Sequence, residues 1–188
     1  MPAAVRRRLF SVDEYYLMAQ AGILHEDDRV ELIEGEIIQM PPIGSPHAMA
    51  VDVIGQLLIR GLGADQAFVR TQNPLHLGQD TEPQPDVAVV KPPAAVYRRQ
   101  HPAARDVLLL IEVSDSTLEY DRRIKLPLYA QANIPEVWII DLNAGAVETY
   151  SAPQDGRYTS QSVAGRGDSV SPQAFPDLSL AVNDILGP

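Results

Sequence analysis

Three residues carry most of the chemical information in this chain: Asp86 in PQPDVAVV, Glu112 in VLLLIEVSDS and Lys125 in DRRIKLPLYAQA. Asp86 opens an apolar, strand-like run, and Glu112 closes another. If those strands pair, their polar ends can meet at one edge of the sheet. Two carboxylates converging there can hold a hard divalent cation, magnesium or manganese. A lysine beside them can orient a water or manage charge on a phosphate. Lys125 is one of only two lysines in the chain, the other being Lys91. Together these residues outline a metal-dependent phosphodiesterase site.

Each member also has a plain structural reading. Aspartate after proline is common in turns. Glu112 follows five apolar residues, where a glutamate is costly unless it is paired or bound to a metal; a buried salt bridge would satisfy it. Lys125 has Asp121 four residues earlier, a spacing that suits a surface ion pair worth a few tenths of a kcal/mol. The ordered set is more informative than any one residue. Accessory candidates are Glu34, from the acidic cluster Glu31, Glu34 and Glu36, then His47 at a helix start, and Asp121. His47 could hydrogen-bond the site or move a proton. Arg122 and Arg123 stand beside Lys125 and could steer a nucleic-acid strand. Trp138 and Tyr129 read as core.

Other chemistries lack their residues. No cysteine occurs, so thiol nucleophiles and cysteine-held metals are ruled out. The chain has no GxSxG elbow, P-loop, GxGxxG or HExxH. With 45% hydrophobic and 21% charged residues in a length of 188, the composition suits one soluble globular domain, 1–188, with its core at about 10–180. The arginine-rich start has no apolar stretch after it, and no apolar run reaches about 20 residues, so no membrane segment or secretory signal is expected and a cytoplasmic location is. The net charge of −10 means that any grip on phosphates must be local. Local basic groups are Arg6–Arg8, then Arg98, Arg99 and Arg105, then Arg122, Arg123 and Lys125.

The elements that must position these residues can be read from periodicity. Ser11 and Glu14 have capping-box spacing, which predicts a helix over 11–21. The segment 29–40 alternates around Glu34-Gly35 as a strand pair or one bent strand. Ser45, with Pro46 in the first turn, predicts a helix up to Gly61. Strands are expected at 67–72, in LHLG, in DVAVV and in DVLLLIEV, the last two covered on both faces. A helix over 117–132, capped by Ser116 and interrupted by Pro127, should follow. A hairpin at 136–152, a strand at 157–164 and a short C-terminal helix complete an α/β or α+β sheet flanked by helices.

The motifs resemble a known family. VELIEGEIIQMPPIGSPH, PQPDVAVV, LLIEVSDSTLEYDRRIKLPLYAQANIPEVWIIDL and VETYSAP, in this order, resemble the Uma-two family of restriction endonucleases, within the PD-(D/E)XK nuclease superfamily. The resemblance implies a restriction-endonuclease-like fold, a mixed central sheet flanked by helices. It implies metal-dependent DNA cleavage, with Asp86 and Glu112 as the metal-binding acids. Ser114 stands where the motif's lysine is expected, and Lys125 matches a lysine moved to the following helix. Glu34 would match an additional acid on an early element. DNA is the implied partner, and such folds often form homodimers. The alternative from another class is a nuclease fold kept as a non-catalytic binding or assembly module, which the acidic charge favours. A third is a hydrolase of a small phosphodiester.

Overall fold

The structure, a computed structural model, describes residues 6–25 and 27–187. The predicted first helix forms as α1 (Val12–Gln20). Its capping box is complete: Ser11 accepts from the Glu14 N–H, and the Glu14 carboxylate accepts from the Ser11 N–H. The next segment resolves into a hairpin, β1 (Val30–Ile33) and β2 (Glu36–Gln39). Its turn residues Glu34 and Gly35 both have positive φ, 48° and 78°, as two-residue hairpin turns require. A side chain at position 35 would also collide with Leu9.

Helix α2 (Ser45–Gly61) begins with Pro46 in its first turn, as expected, but its cap is Gly44 rather than Ser45. Next come β3 (Phe68–Thr71), β4 (Val87–Val90) and β5 (Val107–Ser114). The expected LHLG strand is not one; it makes only an isolated bridge from His76 to Ala103. Two prolines, Pro74 and Pro83, flank that stretch and limit a continuous ladder. The expected helix at 117–132 is one continuous coil of three parts. These are α3 (Leu118–Tyr120), a π-helical turn over Asp121–Lys125 and α4 (Leu126–Gln131). Pro127 falls at the start of α4, where its missing N–H is tolerated, and the coil widens just before it. The chain continues with β6 (Glu136–Asp141), β7 (Ala146–Gln154), β8 (Arg157–Gly165), the pair β9 (Ser169–Val170) and β10 (Leu180–Ala181), and α5 (Val182–Leu186).

β3 to β8 form one six-stranded sheet in sequential order. All neighbours are antiparallel except β5 and β6, which are parallel. A parallel pair needs a crossover, and the helical stretch at 118–131 supplies it. The sheet is therefore mixed, as the family resemblance implied. Its faces are both covered near the centre: every residue of β4 and β6 is buried. α2 and α5 pack on one face with Val87, Leu109, Ile111 and Trp138. Tyr129 of α4 packs on the other with Ala88, Leu110 and Ile139. Among the described residues no helix is long and apolar enough to cross a membrane.

Candidate functional site

The antiparallel register of β4 and β5 brings the two acids together. Val87 lies opposite Ile111, so one step further sets Asp86 opposite Glu112. An antiparallel pair places the start of one strand beside the end of the other, and residues directly opposite share a face. The contact is direct. The Asp86 N–H points at Glu112 Oε2 at 3.4 Å, and the Val113 N–H donates to Asp86 Oδ2 at 2.9 Å. Asp86 also accepts from the Gln72 amide at 3.2 Å and meets His47 Nε2 at 3.1 Å. Pocket residues from α2 and from the end of β3 thus close on the same carboxylate.

Lys125 reaches the acids from the helical crossover. Its Nζ lies 3.4 Å from Glu112 Oε1 and 3.4 Å from Glu31 Oε2. The side chain is only 2% exposed, and Asp121 is buried beside it on the same π-helical turn. The surface pairing of Asp121 with Lys125 is therefore not what forms. Asp121 instead accepts from the Ser114 hydroxyl at 2.8 Å and the Thr117 hydroxyl at 2.7 Å. π-Turns inside α-helices often occur at functional positions. One turn beyond Lys125, the Tyr129 hydroxyl donates to Glu112 Oε1 at 2.5 Å.

Charge in this cluster is unbalanced. Four buried carboxyl groups, of Glu31, Asp86, Glu112 and Asp121, surround one ammonium. Burial pushes the Glu112 carboxyl up to about 8; Lys125 opposes this, and Asp121 and Asp86 add to it. Burial likewise raises Asp121. For Lys125, burial works against the charge, but Glu112, Glu31, Asp121 and Asp86 hold the ammonium well above the usual lysine range. Burial also works against Asp86, yet the His47 bond, the Val113 N–H and Lys125 keep it below the usual carboxylate range. The bond to Asp86 raises His47.

Beside this cluster lies a cleft of about 270 Å³. Asp86, Glu112, Val113, Asp121, Lys125, His47 and Gln72 all reach it. The donor set fits a hard divalent ion. Every candidate ligand on Asp86 and Glu112 is oxygen, and a doubly charged ion would offset the surplus of negative charge. Asp86 Oδ1 accepts only the Gln72 amide, and Glu112 Oε2 only the long contact from Asp86, so each acid keeps a lone pair open. Among the described residues no three acids or histidines form a ready-made coordination group.

The sign of the pH dependence follows. Glu112 is raised from 4.5 to about 8 on folding, so the folded chain binds the extra proton between those values. Its contribution is fully present below pH 4.5 and is lost as pH rises toward 8. In EDTA, the melting temperature is expected to fall across this window, by the equivalent of a few kcal/mol. Glu112→Gln should flatten that part of the curve. An identical slope in the variant would assign the effect elsewhere.

The family follows from comparison with known proteins. A family model named Uma2, described as "Putative restriction endonuclease", matches residues 12–183. The chain belongs to the Uma2 family. A crystal structure of "a putative nuclease belonging to DUF820" from Anabaena variabilis is similar at a TM-score of 0.71. At 18% identity, and with 94% of this chain and 97% of that one covered, it shows a shared fold. No curated protein matches the chain.

Within this Uma2 chain, Asp86, Glu112, Lys125, His47 and Asp121 gather at one cleft. Glu34 does not: it sits exposed in the hairpin turn with φ 48°. Its neighbour Glu31 takes the place beside Lys125, because β1 is tied down by the Glu82 N–H to Leu32 carbonyl bond and by the Gln84 N–H to Glu31 bond. Arg122 is turned away, bonded to Glu148 through its Nε at 3.1 Å and through a second guanidinium nitrogen, with Asp141 at 3.7 Å. Arg123 is exposed and pairs with Glu119 at 2.8 Å. The sequence placed Glu31 in the acidic cluster but favoured Glu34, and it read Tyr129 as core, which its burial bears out, without its bond to Glu112; nothing in the sequence marked Gln72. Two signals were available: Glu31 interrupts an apolar strand as Glu112 does, and Tyr129 stands four residues from Lys125 on the same helical face.

Proposed function

We propose that this chain is a magnesium- or manganese-dependent endonuclease hydrolysing phosphodiester bonds in DNA, with Asp86, Glu112 and Lys125 as its catalytic residues. The convergence of two acids from paired strands and a buried lysine in one cleft carries this reading. Asp86 and Glu112 would hold the ion. Once bound, such an ion lowers the pKa of a water and polarises the scissile phosphate.

The chain's own groups do the rest. The Val113 N–H, Gln72 and His47 fix the Asp86 carboxylate, and Tyr129 fixes one oxygen of Glu112. A carboxylate locked by neighbours presents its free lone pair without reorganising. Lys125, held cationic between Glu31 and Glu112, orients the attacking water or offsets charge that develops on the phosphate. Asp121 and the two hydroxyls that bond it brace the π-turn carrying Lys125.

The alternative, a nuclease fold acting only as a binding or assembly module, draws on two observations. The chain carries a net charge of −10, and the Lys125 ammonium already lies near two carboxylates. Titration calorimetry with Mn²⁺ separates the readings. An endonuclease of this kind should take up one ion with a detectable heat, and the Asp86→Ala, Glu112→Ala double variant should not. No specific uptake by the unaltered chain would favour the binding module.

A further inference from the structure

An acidic chain that acts on DNA needs a local surface for the polyanion, and one edge of the sheet has the right composition. β3 is the edge strand. Phe68 and Arg70 share one of its faces, opposite Val90 and Ala88 of β4. Gln72 follows two residues later, and its side-chain amide donates to Asp86. The row Phe68, Arg70, Gln72 therefore leads to the acids over about 13 Å, at roughly 3.3 Å per residue.

Tyr97, on the short 3₁₀ turn Ala94–Arg98, lies against this row. Its ring is near-parallel to Phe68, with centroids 6.4 Å apart and planes 9° off parallel. The Arg70 guanidinium lies 6.0 Å from the Tyr97 centroid. The Tyr97 hydroxyl donates to the Lys91 carbonyl at 2.8 Å, which fixes the ring. Phe68 remains 37% exposed.

Positive charge collects around these rings. Arg98 and Arg99 follow Tyr97 directly, and Lys91 Nζ reaches the Arg105 carbonyl. Among the described residues the ion pairs are made by Arg7, Arg8, Arg122, Arg123, Lys125 and two histidines. Arg70, Lys91, Arg98, Arg99 and Arg105 make none. Asp106 is the acid that acts on Tyr97, and its carboxylate already accepts from the Ala103 N–H. Aromatic faces set among unpaired arginines are what unpaired nucleic-acid strands bind, through base stacking and phosphate contacts.

We propose that Phe68, Arg70 and Tyr97 form a docking track for an unpaired DNA strand, with Arg98 and Arg99 meeting its phosphates as it runs toward Asp86. The substrate class rests on the endonuclease reading; the track is a separate claim about where the strand lies.

Fluorescence anisotropy of a labelled 20-nucleotide single strand, with full-length protein in EDTA, tests it. Phe68→Ala and Arg70→Ala should each weaken binding about tenfold, the scale of one stacked base. Arg98→Ala should reduce the salt slope by about 0.7. Arg157→Ala, at an exposed position on β8, should change neither. A strand carrying 5-iodouracil should photo-crosslink to Phe68 or Tyr97 of the unaltered chain, a readout that needs no variant to fold. Unchanged affinity in both variants while cleavage persists overturns the track alone. So does a larger loss for duplex than for single strand, or crosslinks found only elsewhere. Binding that needs Phe68 and Arg70, with no cleavage by the unaltered chain in Mn²⁺, upholds the track and overturns the endonuclease reading.

Discussion

Asp86→Asn is expected to abolish Mn²⁺-dependent nicking of supercoiled plasmid DNA while the chain stays folded. Asparagine has nearly the same shape, and its carbonyl oxygen can still accept the Val113 N–H bond now made to Asp86. What it loses is the negative charge, and with it one of the two carboxylates proposed to hold the ion. Metal assistance is worth several kcal/mol of transition-state stabilisation, so the rate should fall by at least roughly 10³. His47 gives a second readout. Its raised pKa comes first from the bond to Asp86, so the variant should let it titrate lower by NMR. Glu112→Ala should be equally inactive. If both variants nick plasmid at the original rate, the catalytic assignment is wrong.

Lys125→Met should show two separable losses. Methionine is close in length and carries no charge, so the effect is electrostatic rather than a cavity. Removing one partner of a buried ion pair typically costs about 3–5 kcal/mol, because the carboxylates left behind stay uncompensated. Here they are Glu31 and Glu112, each 3.4 Å from the ammonium. The loss should be largest above pH 8, where Glu112, raised to about 8, is ionised, and shrink as pH falls below 8 and Glu112 takes up a proton instead. Cleavage should drop by roughly 10²–10⁴, the usual effect of one positioned charge or proton-transfer group. Adding Glu31→Gln to Lys125→Met should recover much of the melting temperature without recovering cleavage. Recovery of both would make Lys125 a purely structural cation.

Several parts of this site were legible in the sequence. Pro85 and the apolar run after it mark Asp86 as a strand start, and five apolar residues mark Glu112 as a buried acid. The capping box at Ser11, the Glu34-Gly35 turn and the start of α2 at Pro46 follow local rules, because their geometry is set within four residues. Local rules missed in three places. The LHLG stretch alternates like a strand but lies between prolines and pairs only through one bridge. The helix carrying Lys125 reads as an ordinary α-helix, whereas its centre is a π-helical turn on which both Asp121 and Lys125 are buried. In the hairpin, three glutamates of similar type stand within six residues, and only burial of Glu31 against Lys125 sets it apart from Glu34 and Glu36.

Residue types and spacings determined which groups this protein has available: two acids at strand ends, one lysine on the crossover helix, and no thiol. They also determined most of the strands and helices and the α/β or α+β class, since apolar period and turn chemistry act over a few residues, whereas the mixed sheet was implied only by the family resemblance. Only the tertiary structure decided which acids meet. The antiparallel pairing of β4 with β5 sets Asp86 beside Glu112, and the docking of β1 chooses Glu31 over Glu34. The physical reason is range. A carboxylate's neighbours in an interior come from distant parts of the chain, and its charge state is set by those neighbours and by lost water, neither of which a local pattern encodes.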